Sequence, residues 1–116
     1  MPNYILLLHR EEGLQPELSP DQIQSMIQKY VAWRNKVAKG RTVTGHKLRN
    51  SEGRVMRGGG GAATVKDGPY AEAREVIGGL FIVEARTYEE VVELSRDCPH
   101  LEYGGTIEIR EIQPTQ

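Results

Sequence analysis

The stretch Asp-Gly-Pro-Tyr-Ala-Glu-Ala-Arg-Glu-Val-Ile-Gly-Gly at positions 67–79 runs directly into the most apolar strand that the sequence predicts, Gly79 to Ala85. Asp, Gly and Pro in succession are typical of a turn, because Asp accepts hydrogen bonds from nearby backbone, Gly relieves steric limits and Pro fixes φ. The charged residues Glu72, Arg74 and Glu75 then form a short run of helical propensity. The stretch therefore predicts a junction where a loop ends and a core strand begins.

Three more strands and two helices are predicted around this junction. The apolar run Tyr4 to His9 predicts a central strand buried on both faces. Ser19 to Gln22 has a capping-box pattern with Pro at the first helical position, and Thr87 to Glu90 has a second capping box. Thr42 to Leu48 and Thr106 to Ile112 alternate as strands do. The order is strand, helix, strand, inserted hairpin, strand, helix, strand.

This order predicts an α+β fold of the ferredoxin-like βαββαβ type, an antiparallel sheet with both helices on one face. The inserted hairpin and the junction loop occupy about residues 49–77, with 54–57 as one arm. A length of 116 residues predicts one domain covering 1–116. On the first helix, a broad apolar stripe is predicted to face the sheet, with Trp33 at its edge. The stripe comprises Ile23, Met26, Ile27, Tyr30, Val31, Val37 and Ala38.

Strand parity divides the sheet into two faces. Five apolar residues are predicted to face the helices: Val43, Phe81, Val83, Ile107 and Ile109. The opposite face mixes apolar and polar residues: Thr42, Thr44, His46, Leu80, Ile82, Glu84, Thr106, Glu108 and Arg110. A half-apolar sheet face of this kind is usually buried against another surface. We expect a second copy of the chain to bury it, which predicts a homodimer.

Composition excludes several classes of function. Fifteen basic against sixteen acidic residues give a net charge of -1, so direct binding to nucleic acid is not expected. No apolar run reaches the roughly 20 residues of a membrane span. One cysteine, Cys98, predicts no intrachain disulfide and a cytoplasmic location. Three dispersed histidines predict no metal site. The glycines at 58–61 are not followed by the Gly-Lys-Ser/Thr sequence that completes a phosphate-binding loop. They therefore predict a flexible loop, and no cofactor is expected.

Residues 67–75, followed by Ile77-Gly78-Gly79-Leu80, resemble the DGPF-type branch of the YCII-related proteins. Further matches are Glu52 to Val55, Cys98-Pro99 and Gly105 to Arg110, so the resemblance spans nearly the whole chain. It implies a dimeric α+β barrel of two ferredoxin-like subunits packed sheet to sheet. The YCII relatives are suspected of using a His–Asp pair, but the resemblance does not settle a function.

Two functions are predicted. In the first, the chain binds a small molecule in the dimer cleft, and Asp67 with His46 exchanges a proton in lyase or isomerase type chemistry. Asp67 matches the motif aspartate by position, and His46 lies near the relatives' histidine. Four residues are candidates for substrate binding: Tyr70, Arg74, Arg110 and His9. In the second, the chain is a non-catalytic dimeric accessory module that binds a metabolite or a protein partner. Some relatives are associated with transcription. Asp67 then has only a structural role, in stabilising a turn.

Overall fold

The computed structural model of the protein describes residues 1–11, 17–50, 52–68 and 75–115. These residues form six strands and three helices. In chain order the elements are β1 (Asn3–Glu11), α1 (Pro20–Val37), β2 (Val43–Lys47), β3 (Arg54–Arg57), β4 (Thr64–Asp67), β5 (Glu75–Glu84), α2 (Tyr88–Ser95), α3 (Pro99–Glu102) and β6 (Thr106–Glu111).

The main sheet has four strands in the order β2-β5-β1-β6, and all neighbouring strands are antiparallel. Strands β3 and β4 form a separate two-stranded antiparallel sheet, which is the predicted inserted hairpin. The predicted ferredoxin-like α+β fold is confirmed, including the central place of β1. No helix in the described part of the chain is long and apolar enough to cross a membrane.

The core lies between one face of the main sheet and the helices. It is a cluster of eight buried residues: Tyr4, Leu6, Trp33, Val37, Val83, Ala85, Val91 and Cys98. Of the five residues that parity assigned to the helix side, Val83 belongs to this cluster and the other four pack against it. Parity was therefore sufficient to separate the two faces of the sheet, because side chains alternate strictly along each strand.

Helix α1 begins as the sequence predicts. The Ser19 hydroxyl accepts a hydrogen bond from the Gln22 N–H at 3.2 Å, and the Gln22 side chain accepts one from the Ser19 N–H at 2.8 Å. These bonds satisfy backbone donors that the first turn of a helix leaves without partners. The helix ends at Val37, and Gly40 follows with a φ of 73°.

The face of α1 that meets the sheet was predicted correctly only in part, since Val37 lies in the core and Tyr30 packs against it as expected. Trp33, placed at the edge of the stripe, is only 4% exposed and forms part of the core. Ile27 and Val31, placed on the stripe, are 48% and 54% exposed. The apolar arc of α1 is wider than the sheet can cover, so one flank of the arc, which also includes Ile23, stays at the surface.

Three other details differ from the sequence prediction. Glu75 begins β5, although its segment was predicted to be helical, because it pairs with Glu11 at the end of β1. Ile5 and Leu7 are half-buried in the single chain, whereas both faces of β1 were predicted to be buried. The short helix α3, which begins at Pro99, was not predicted.

Candidate functional site

The side of the main sheet that faces away from the helices is called the open face here. Strand register arranges its residues in rows that cross the sheet. One row contains Thr44, Ile82, Ile5 and Arg110, and the next contains His46, Leu80, Leu7 and Glu108. The four apolar side chains in these rows are half-buried, and the polar residues lie on the two edge strands. The open face is therefore an apolar strip bordered by ionisable groups.

His9 lies at one end of this strip, between two carboxylates. Its Nε2 is 2.9 Å from Oε1 of Glu108, a hydrogen-bonding distance. Its Nδ1 is 4.0 Å from Oε2 of Glu75. The His9 side chain is 20% exposed, against 45% for Glu108 and 44% for Glu75. The imidazole is thus the most enclosed of the three groups, and the carboxylates lie nearer the solvent.

An irregularity in the sheet lies directly beside His9. Leu8 pairs with Gly79, but His9 pairs with Ile77, so Gly78 is an extra residue in β5. An extra residue of this kind bends its strand and changes the direction of neighbouring side chains. On the other side of β1, His9 pairs with Thr106 at the start of β6. Glu108 follows Thr106 by two residues and shares its face, which brings its carboxylate to the imidazole.

The His9–Glu108 pair can transfer a proton. A neutral imidazole that donates from Nε2 to Glu108 carries its acceptor lone pair on Nδ1. The separation of 4.0 Å between Nδ1 and Glu75 is longer than a hydrogen bond. In this tautomer Nδ1 is therefore the ring atom that can accept a proton. Proton transfer by a positioned side chain accelerates reactions by about 10²- to 10⁴-fold.

The predicted site residues fall into three groups. His9, His46 and Arg110 belong to the rows and strand ends of the main sheet. Asp67 belongs to the other sheet, at the end of β4. Tyr70 and Arg74 lie outside the described residues. The main sheet therefore gathers three of the predicted site residues, and Asp67 is held by a different element.

Asp67 is a surface residue of the hairpin. It pairs with Arg54 in the β3–β4 ladder, and its carboxylate oxygen is 3.6 Å from the Arg54 guanidinium. The Asp67 side chain is 93% exposed. Directly after Asp67, the Gly68 N–H donates a backbone hydrogen bond of 2.8 Å to the Gly53 carbonyl, which extends the pairing of the two hairpin strands. An exposed ion pair of this kind contributes little to stability.

Metal-ion clusters and surface depressions are two further kinds of candidate site in the described part of the chain. No group of three or more His, Cys, Asp or Glu residues among 1–11, 17–50, 52–68 and 75–115 is placed to hold a metal ion. A wide, open depression of about 580 Å³ lies beside the loop after β2. Its lining residues are Lys47, Leu48, Arg49, Asn50 and Glu52. None of the described residues that line this depression is a predicted site residue.

Fold and site together define a small α+β protein with a ferredoxin-like sheet and a histidine–carboxylate pair on its open face. The family model of the YCII-related domain matches residues 1–116, so the chain belongs to the YCII-related family. No curated protein matches the chain. The crystal structure of At3g17210 from Arabidopsis thaliana aligns with 100% of this chain and 97% of its own, at 15% identity and a TM-score of 0.44.

Sequence reasoning missed two residues of the His9 cluster. Glu108 was assigned to the open face by parity but was not linked to His9, and Glu75 was treated as part of a charged run. The available signal was the topology, because a ferredoxin-like sheet pairs its first strand with its last. That pairing brings the end of β1 to the start of β6, and so brings His9 close to Glu108.

Proposed function

We propose that this protein binds a small carbonyl compound on its open face and transfers a proton on it, in lyase or isomerase type chemistry, with His9 as the base. The observation that carries the proposal is the 2.9 Å pair of His9 and Glu108 at the end of an apolar strip. An apolar surface with a few convergent polar groups is the usual character of a small-molecule site.

The reaction follows from the arrangement of the pair. Nδ1 of His9 takes a proton from the carbon next to the carbonyl group, and the electrons of that C–H bond form an enolate. Arg110 shares the open face and follows Glu108 by two residues, so its guanidinium balances the negative oxygen. Return of the proton to another carbon completes an isomerisation. Loss of a leaving group from the neighbouring carbon completes an elimination.

The proposal includes a second copy of the chain packed against the open face. Four half-buried apolar side chains line that face, and covering them removes apolar surface from water. Packing of two such faces also encloses the His9 cluster in a cleft and strengthens its electrostatic interactions. We expect a dimer in sedimentation velocity at micromolar concentration, and dissociation of that dimer in Leu7→Glu. A wild-type monomer contradicts this part of the proposal.

The pair predicted from the sequence remains a second candidate for the same chemistry. His46 shares the open face with His9, in the row that ends at Glu108. Asp67 in this pairing is a carboxylate supplied from the hairpin. Tyr70 and Arg74 stay proposed substrate contacts next to it in sequence.

Hydrogen exchange at carbon separates the two pairs. A panel of small ketones, keto acids and lactones is incubated in D₂O with the protein, and deuterium incorporation is followed by mass spectrometry. We expect wild-type protein to label at least one compound, and His9→Gln and Glu108→Gln to slow labelling by about 10²- to 10⁴-fold. His46→Gln is the matched control and keeps the wild-type rate. Loss of labelling in His46→Gln and Asp67→Asn, but not in His9→Gln, assigns the chemistry to the other pair.

The non-catalytic alternative is favoured by one observation, the 93% exposure of the Asp67 side chain in its ion pair with Arg54. In that case the protein is a dimeric module that binds a metabolite or a protein partner, and none of the panel compounds is labelled.

The Asp-Gly-Pro motif supports assignment to the DGPF-type branch, with the transcription-associated role of some of its members. The single cysteine supports a cytoplasmic location.

A further inference from the structure

His100 holds the backbone of His9 from the helix side of the sheet. It is the second residue of α3, and its ring is half-buried. Its Nε2 lies 2.7 Å from the carbonyl oxygen of His9, which is 91 positions away in sequence. A carbonyl oxygen only accepts hydrogen bonds, so Nε2 of His100 is the donor. The third histidine of the chain is thus bonded to the residue that carries the proposed chemistry.

The bonded carbonyl is part of the backbone from which the His9 side chain projects. It belongs to the peptide that follows His9, so a hydrogen bond to it restrains the ψ angle of His9 and the direction of its Cα–Cβ bond. The sheet alone specifies this direction weakly, because the ladder between β1 and β5 shifts register between Leu8 and His9. A hydrogen bond from outside the ladder fixes the peptide at the position of the irregularity.

The space that His100 occupies is created by Gly105. A Cβ atom at position 105 would lie 2.1 Å from Nε2 of His100, which no real contact allows. The Gly105 N–H also donates to the His100 carbonyl oxygen at 2.9 Å. Gly105 precedes Thr106, the residue that pairs with His9 in β6. The connection from α3 to β6 therefore holds the His100 ring against β1 at His9, where the pairing of β1 with β6 ends.

We propose that His100 is a positioning residue that orients the His9 imidazole toward Glu108 through its bond to the His9 carbonyl. The inference rests on the proposed function, since it assigns His100 a part in the same site. His100 touches the backbone and not the reacting atoms. Its effect is on geometry, and displacements of about 1 Å in a reacting group reduce rates by about 10²-fold.

Two substitutions of His100 test the proposal. His100→Leu removes the donor, whereas His100→Gln keeps an N–H donor on a side chain of similar reach. In NMR spectra of the full chain, we expect the nuclear Overhauser effect between the His9 ring and the Glu108 side chain to disappear in His100→Leu. We expect His100→Gln to keep that signal. In the D₂O assay, His100→Leu slows labelling by about 10- to 100-fold and His100→Gln restores most of the rate.

Gly105→Ala provides a test that leaves His100 in place. The new methyl group displaces the ring, so we expect loss of the His9–Glu108 signal without loss of the imidazole itself. A persistent His9–Glu108 signal in both His100→Leu and Gly105→Ala overturns the positioning role. Absence of deuterium labelling in wild-type protein overturns the proposed function instead, and the NMR result still decides whether His100 orients His9. If His100→Leu fails to fold, His100→Gln and Gly105→Ala carry the test.

Discussion

Replacement of Trp33 measures how much of the stability depends on the contact between α1 and the sheet. The indole is 4% exposed, its Nε1 donates to the Leu94 carbonyl at 2.9 Å, and its ring meets Phe81 edge to face at 5.0 Å. Trp33→Phe keeps an aromatic ring but leaves the Leu94 carbonyl without this donor, which costs about 1–2 kcal/mol. Trp33→Ala also removes the buried ring and costs about 3–5 kcal/mol. The second loss is a large part of the stability of an ordinary domain.

The matched control is Ile27→Ala in the same helix. Ile27 is 48% exposed, so its truncation should change the free energy of unfolding by at most about 0.5 kcal/mol. Urea denaturation is followed by far-UV circular dichroism, because Trp33 is the only tryptophan and its fluorescence is lost in the variants. Protein concentration is kept constant, since association changes apparent stability. A larger loss in Ile27→Ala than in Trp33→Phe refutes the orientation of α1 described above.

Two other predictions concern the core. Cys98 is 1% exposed, and burial raises the pKa of its thiol to about 11. As the pH rises, Cys98 loses this proton in the unfolded chain before it does so in the folded chain. The contribution of the neutral, buried thiol to the free energy of unfolding is therefore complete below pH 9 and is lost as the pH rises toward 11. Urea midpoints should fall over this range in wild-type protein and less in Cys98→Ala. A Cβ at Gly45 would lie 2.4 Å from the Phe81 ring, so Gly45→Ala should cost about 1–3 kcal/mol. Gly58→Ala, where nothing lies within 4 Å of the added atom, is the control in the same denaturation assay.

Local signals in the sequence were sufficient for most of the fold. The bonds between Ser19 and Gln22 depend on residues three positions apart, so the start of α1 is visible in the sequence. Strand parity also acts locally, and it identified the side of β5 and β6 that meets the helices. The face of α1 could not be chosen in this way, because Trp33 and Ile27 both lie on one broad apolar arc. Which flank of the arc is buried depends on the position of the sheet.

The site depended on contacts between distant parts of the chain. His9 and Glu108 are separated by 99 positions, and their approach requires the pairing of β1 with β6. Glu75 was misassigned because its local propensity for helix is overridden by pairing with β1. His100 lies in a four-residue helix, too short to show a periodic pattern. Topology therefore carries the information about the site that residue-by-residue patterns lack.

The central position of β1 has a consequence for the order of folding. β1 is synthesised before both of its partners, and it pairs with β5 from Glu75 onward and with β6 from Thr106 onward. Both edges of β1 therefore lack a partner strand until those later segments have left the ribosome. Pairings between residues so far apart in sequence close large loops and slow the search for the native state. During translation, the strand that carries His9 thus passes through a period in which its apolar residues and backbone are open to other chains, and to chaperones that bind such segments.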